Sequence, residues 1–338
     1  MAKIQIGLIG FGYWGPNLAR NINANPRSIL SCIADIDFER REIAGNMYPH
    51  VEVVEDPQVI LKSPQIDVVA IATPVSSHFE LARQAIENGK HVWIEKPLAA
   101  TSAESAELVD LARQKHRILM VDHTFLFTSS VKKIHEVIRA GELGNILYYD
   151  SVRVNLGLIQ SDVNVIWDLA PHDLSIMDFV LEQKPKAISV HGKCHFGTKL
   201  EEMAYLSLYY QNNLMAHLHV NWLSPVKIRH TLIGGDRKML AWNDLDNENK
   251  VNVYDKGVEV MQRENGYAAL TQYRIGNMAS PALANKEALT EELDYLLDCI
   301  EGGQEPFNNG EAGHRVVEIL EAADHSLKNS GKLIELLP

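Results

Sequence analysis

Cysteine is scarce in this chain. There are three in 338 residues, Cys32, Cys194 and Cys299, and no two of them form a CxxC pair. That spacing excludes a disulfide framework and a structural zinc site, and each thiol is expected to be a packed side chain. An excess of basic charge is also missing: 32 Lys and Arg stand against 44 Asp and Glu, a formal net charge of -12. Non-specific nucleic-acid binding needs a basic surface, so no nucleic-acid partner is expected, although a local basic pocket for a phosphate or carboxylate stays open. No apolar run approaches the roughly 18 residues that span a bilayer, so no membrane partner is expected. The first ten residues carry only Lys3 as a charge. They lack the charged, apolar and small-residue parts of a signal peptide, which makes the cytoplasm the default location.

What is present is ordinary globular material, 46% hydrophobic and 22% charged. The length exceeds what one core usually serves, which predicts two domains. Up to about residue 122 the apolar pattern alternates. Short buried runs at 3–9, 29–34, 68–72, 91–94 and 118–121 are separated by helical stretches after Gly15 and at 79–88 and 103–115. This order predicts an α/β domain, a doubly wound parallel sheet of the Rossmann type, over residues 1–122.

Between the first run and its helix stands Gly10-Phe11-Gly12-Tyr13-Trp14-Gly15, with Asp35 about twenty residues on. In that context each residue type has a reason. Gly10 permits a tight turn, Gly12 lets backbone N–H groups approach a pyrophosphate, and Gly15 lets helix and strand pack closely. The helix N-terminus favours the phosphates. Asp35 would accept from ribose hydroxyls and repel a 2′-phosphate, which favours NAD over NADP. Tyr13 and Trp14 lie inside the loop and are grouped with the cofactor contacts. Ligands of such sheets bind beyond the carboxyl ends of the strands. Thr73-Pro74 with His78 follows the third run, and Glu95-Lys96-Pro97 follows the fourth, so both are expected to line the cofactor crevice. Position alone leaves Lys96 open between a surface lysine and an active-site one.

After residue 122 the rhythm changes. An amphipathic helix at 130–140 precedes strand-like segments at 147–154, 187–194, 203–210, 214–222, 228–234, 239–242 and 251–254, and helices follow at 287–300 and 311–327. The short turns between strands predict an α+β domain with an open, mainly antiparallel sheet over residues 123–338. The open face predicts a homodimer or homotetramer. Trp167-Asp168-Leu169-Ala170-Pro171-His172 reads as a helix in which Asp168 and His172 share a face. Pro171 fits best in a first turn, which predicts a start near residue 169 or 170 and puts Asp168 at the cap. His217 and His219 alternate on one strand without a third ligand, so they read as sheet residues and no metal is expected.

The Gly10–Gly15 loop, Thr73-Pro74 with His78, Glu95-Lys96-Pro97 and the Asp168/His172 pair together resemble the glucose–fructose oxidoreductase and inositol dehydrogenase family, Gfo/Idh/MocA. The likeness covers nearly the whole chain. It implies that Lys96 lies near the nicotinamide, that Asp168 and His172 lie on a helix facing it, and that Trp167 belongs with the cofactor contacts. His172 is then the candidate base for a hydroxyl proton and Lys96 the group that stabilises charge on the oxygen, or the base itself if burial lowers its pKa. Asp168 would orient the pair. The run Arg153-Val154-Asn155-Leu156-Gly157 and the His123–Phe127 segment are similar to members that oxidise the 3-hydroxyl of UDP-N-acetylated sugars or uronates. That makes Arg153 and Asn155 candidate substrate contacts, with a sheet-face role equally open for Arg153. Three other readings remain on the same residues: an inositol- or glucose-type polyol dehydrogenase, a catalytically silent NAD-binding sensor, and a redox-assisted hydrolase or lyase.

Overall fold

The computed structural model describes residues 3–157, 159–160, 162–197, 199–261 and 270–336. The chain divides into two compact units. The first comprises residues up to Phe127 together with Lys286–Glu318, and the second comprises Thr128–Asn285 with the residues from Ile319 on.

The first unit is built on β1 (Ile4–Ile9), α1 (Gly15–Ala24), β2 (Ser28–Ala34), α2 (Phe38–Met47), β3 (Glu52–Val54), α3 (Gln58–Lys62), β4 (Val68–Ile71), α4 (His78–Glu87), β5 (His91–Glu95), α5 (Ser102–Lys115) and β6 (Leu119–Asp122). Its six strands run in the order β3-β2-β1-β4-β5-β6, and all neighbouring pairs are parallel. The order reverses between β1 and β4, so the segments after these strands flank the crevice where such sheets take ligands. Continuous burial along β4 follows from helices on both faces.

The second unit contains α6 (Ser129–Arg139), β7 (Ile146–Leu156), α7 (Val165–Leu181), β8 (Ala187–Lys193), β9 (Met203–Tyr209), β10 (Met215–Asn221), β11 (Leu223–Gly235), β12 (Met239–Asn243), β13 (Val251–Met261) and β14 (Leu270–Ala279). After α8 (Ala288–Gly302), the last elements are α9 (Gly310–Lys328), in which the division of the units falls, and β15 (Ile334–Glu335). The nine-stranded sheet has the order β14-β13-β12-β11-β7-β10-β9-β8-β15. Only β10 and β7 pair in parallel, and every other pair is antiparallel.

Two sequence expectations change. A boundary near residue 122 lies close to the division at Phe127, but residues 286–318 return to the first unit. The reason is packing: Leu289, Leu293, Leu296 and Leu297 of α8 are buried in one core with Ile6, Leu8, Leu18, Ile22 and Trp93. Burying an apolar face of this size outweighs chain order. Asn21 donates to Glu287, the N-cap residue of α8, and accepts from the Thr290 hydroxyl, and Asn25 donates to Asp294, which adds to it. Helix α7 also starts earlier than Pro171 suggested. Asn164 caps it, its Oδ1 accepting from Ile166 and Trp167 N–H at 3.1 and 3.2 Å, a cap worth about 1 kcal/mol. Pro171 therefore lies inside the helix. An internal proline costs roughly 3 kcal/mol, and the burial of most of the helix offsets it.

Candidate active site

The glycine loop of the first unit has the geometry of a phosphate cradle. Gly10 adopts φ +96°, and a Cβ there would come within 2.5 Å of the Ala72 carbonyl. A Cβ on Gly15 would approach the Gly10 carbonyl at 2.3 Å, whereas one on Gly12 would meet nothing within 4 Å. Two glycines therefore serve the fold, and the third opens space over the N-terminus of α1. No side chain caps that helix end, so its first-turn N–H groups suit an anion. Tyr13 is 88% exposed at the edge of the loop, and Trp14 is the N-cap residue. Asp35 Oδ2 accepts from Phe11 N–H at 2.6 Å, and Oδ1 accepts from Asp37 N–H at 2.8 Å. The carboxylate thus fixes the loop, and its remaining lone pairs still suit ribose hydroxyls. These features fit a dinucleotide.

Thr73 and Pro74 follow β4 after Ala72, and Ser77 Oγ donates to Thr73 Oγ1 at 2.7 Å. His78 has another place than the crevice lining. It is 1% exposed, and its ring bridges the Pro97 carbonyl at 2.9 Å and the Thr73 carbonyl at 2.8 Å. Burial pulls its pKa down more than these two carbonyls raise it. The ring ties the loop after β4 to the loop after β5, the loop that carries Lys96. Lys96 itself is half-buried, and its backbone N–H donates to Glu95 Oε2 at 3.1 Å. The Lys96–Pro97 bond is cis.

The second unit holds the other candidates. Asp168 and His172 lie one turn apart on α7, both half-buried. Trp222, between β10 and β11, donates its indole N–H to Asp168 Oδ2 at 3.0 Å. This partner fixes the carboxylate, and nothing in the local sequence pattern points to it. Trp167 is 8% exposed, and its indole N–H donates to Asp324 at 3.1 Å, which makes it part of the packing of α7.

Arg153 points to the helix-covered face of the sheet. It is 4% exposed, with Nε donating to Asp173 Oδ2 at 2.6 Å and Nη2 to Asp173 Oδ1 at 3.3 Å. Ser151 Oγ donates to the same carboxylate at 2.7 Å. The guanidinium is engaged inside the unit, so the sheet-face role holds. Asn155, two residues on, is half-buried. His217 and His219 lie on the opposite face, where both stack on Tyr205.

Comparison with known proteins agrees with this geometry. Residues 4–123 match the oxidoreductase family with an NAD-binding Rossmann fold, Gfo/Idh/MocA, and residues 131–241 match the Gfo/Idh/MocA C-terminal domain. Together these matches cover more than half of the chain. The chain is 25% identical to UDP-N-acetylglucosamine 3-dehydrogenase of Acidithiobacillus ferrooxidans, over 94% of this chain and 95% of that protein. It is 22% identical to myo-inositol 2-dehydrogenase of Thermotoga maritima, over 99% and 100%. The structure of levoglucosan dehydrogenase in complex with NADH and L-sorbose shares the fold, with a TM-score of 0.83 at 19% identity over the whole of both chains. The chain is thus an NAD-dependent oxidoreductase and belongs to the Gfo/Idh/MocA family.

Proposed function

We propose that this enzyme oxidises a secondary hydroxyl of a sugar. The observation that carries the reading is Asp168, held by the Trp222 indole one helical turn from His172. That arrangement suits a group that must orient a polyhydroxylated substrate. When bound, NAD supplies the acceptor for the hydride that leaves the carbinol carbon. The hydroxyl proton goes to His172, and the Lys96 ammonium donates a hydrogen bond to the oxygen as it gains negative charge. Asp168 takes a hydrogen bond from a neighbouring hydroxyl and sets the ring orientation. The product is a ketone, with two electrons and one proton carried by the reduced cofactor and one proton left on the base.

The finer reading is the 3-hydroxyl of a UDP-N-acetylated sugar or uronate. The relative from Acidithiobacillus ferrooxidans supports it, as does the run from Arg153 to Gly157. With Arg153 held by Asp173, Asn155 is the position on β7 we keep as a substrate contact. In a panel of UDP-N-acetylglucosamine, its uronate, free glucose and inositols, NADH formation is expected with the UDP-sugars at kcat/KM at least tenfold above the others. Preference for an inositol would replace this substrate with a polyol, and NAD binding without turnover of any member would support the sensor reading.

The open sheet face supports self-association. Tyr205, Tyr209, Met215, Ile228 and Leu232 are each at least 38% exposed, and they lie opposite the face carrying Leu206, Leu218 and Ile233. Apolar groups gathered on one face mark a contact surface. A second copy of the chain is the proposed occupant, giving a homodimer or homotetramer. Sedimentation equilibrium is expected to show it, and Leu232→Arg to lower the association state. A wild-type monomer at micromolar concentration would end the proposal. Among the described residues no helix is long and apolar enough to cross a membrane. The three thiols are free, which supports a reducing, cytoplasmic setting.

A further inference from the structure

The carboxylate expected at the adenosine ribose, Asp35, stands just past the end of β2, where the sheet stops holding the chain. Both ladders that β2 makes, with β1 and with β3, end at Ala34. One more bond follows, from Asp35 N–H to Val54 O at 3.1 Å. Burial does not hold the next residue, since Ile36 is 83% exposed. The Asp35 carboxylate accepts from Phe11 and Asp37 N–H, but Asp37 belongs to the same segment and moves with it. The main chain is held by a side chain of α2. Arg41 Nη1 donates to the carbonyls of Asp35 and Ile36, both at 2.9 Å. Its Nη2 donates to Glu55, just after β3, at 3.1 Å. The guanidinium carbon lies 5.7 Å from the centroid of the Phe38 ring. A planar guanidinium suits this task, because its fixed fork of donors can hold two carbonyls and a carboxylate at once. The Arg41 side chain is 18% exposed and that of Glu55 71%. An ion pair open to water at its acidic end contributes little, so the hold rests on the two carbonyl bonds.

We propose that Arg41 is a positioning residue for the cofactor: by holding the carbonyls of Asp35 and Ile36 it keeps the Asp35 carboxylate where the adenosine ribose binds, and so sets the preference for NAD over NADP. A carboxylate discriminates only while it is held at the 2′ position. There it accepts from the hydroxyl of NAD and repels the phosphate of NADP. On a loose segment it does the first less well and turns away from the second. Arg41 does not offer itself to a phosphate, because both of its terminal nitrogens already donate to the chain around Asp35 and to Glu55. An arginine free at this strand end would do the reverse and accommodate a 2′-phosphate. This role rests on Asp35 as the ribose contact, not on the sugar proposed as substrate.

Binding of NADH and NADPH to the full chain, followed by nucleotide fluorescence, tests it without turnover. Arg41→Met keeps the aliphatic stem and removes the donors. It is expected to weaken NADH about tenfold, the scale of one charge-assisted hydrogen bond, and to leave the weaker NADPH binding within about twofold. The preference for NADH then falls by about the same factor of ten. ADP-ribose, which lacks the nicotinamide, is expected to lose as much as NADH does, read by calorimetry. Arg41→Lys restores a cationic donor and is expected to recover part of the preference. Glu55→Gln is expected to change it by less than about twofold. If Arg41→Met does not fold, Arg41→Gln carries the same expectation, since its amide is uncharged and too short to reach both carbonyls. An unchanged ratio would overturn the proposal. So would a larger loss for NADPH than for NADH, which would make Arg41 a phosphate ligand. Asp35→Asn keeps the two failures apart, because it is expected to lose the preference whatever holds the segment. A wild-type preference in Asp35→Asn would place the ribose contact elsewhere and end the proposal with it.

Discussion

Lys96→Ala and His172→Ala are each expected to bind NAD within a few-fold of the wild type and to lose turnover by about 10²–10⁴-fold, the usual worth of a positioned proton-transfer group. Retention of NAD follows from where the cradle is built. The loop from Gly10 to Gly15, the uncapped start of α1 and Asp35, which fit a dinucleotide, are built without either side chain. Lys96 is at the carboxyl end of β5, a strand pinned in mid-sheet between β4 and β6, so truncation beyond its Cβ leaves the backbone in place. His172 lies on a helix whose cap and buried face do not involve the imidazole. The effects are not expected to add, because the proposed reaction gives both groups a part in the same step. Fluorescence titration with NADH and steady-state kinetics on the preferred sugar measure the two quantities separately. Full activity in either variant would reject the assignment.

How much of this could be read from sequence depended on the range of the interaction. The Rossmann unit was legible because its signals are local: a strand, a glycine turn and a helix within 25 residues, then Asp35 at the next strand end. The elements without a periodic apolar face escaped. Helix α2 buries only Ala44, and β3 is a three-residue edge strand with no fully buried side chain. Strand β14 carries Tyr273, Ile275 and Met278 outward, each more than half exposed, so its pattern does not alternate with a core. Assigning α8 to its unit required knowing that its leucines fit beside β1 and α1, which no local pattern states. The site divides the same way. Gly10, Gly12, Gly15, Asp35, Lys96, Asp168 and His172 stand in short motifs. The support of Asp168, the Trp222 indole, comes from 54 residues away. The two reassigned arginine and histidine positions show the converse. Arg153 and His78 have the chemistry of ligand contacts, and only the structure reveals that buried carboxylate and carbonyl groups already engage them.

Asp173→Ala is expected to cost the second unit about 3–5 kcal/mol, the usual effect of removing one partner from a buried ion pair. The side chains of Arg153 and Asp173 are 5% and 2% exposed. Without the carboxylate, the guanidinium stays enclosed against Ser151 and the sheet and loses its buried ion pair with Asp173. Asp173→Asn is expected to recover only part of the loss, since it restores an acceptor but not the charge. Arg153→Met combined with Asp173→Leu is expected to recover most of it, because an apolar pair of similar volume needs no solvation. Urea unfolding followed by tryptophan fluorescence measures the series, with Trp222 and Trp242 buried in this unit as reporters. A loss below about 1 kcal/mol for Asp173→Ala would mean that the pair is no more than a surface bridge in effect. The position has a catalytic consequence as well. Asp173 directly follows His172, and its bonds to β7 at Ser151 and Arg153 are what fix α7 against the sheet at that turn. Where Asp173→Ala still folds, kcat is therefore expected to fall while NAD affinity, built in the other unit, stays the same.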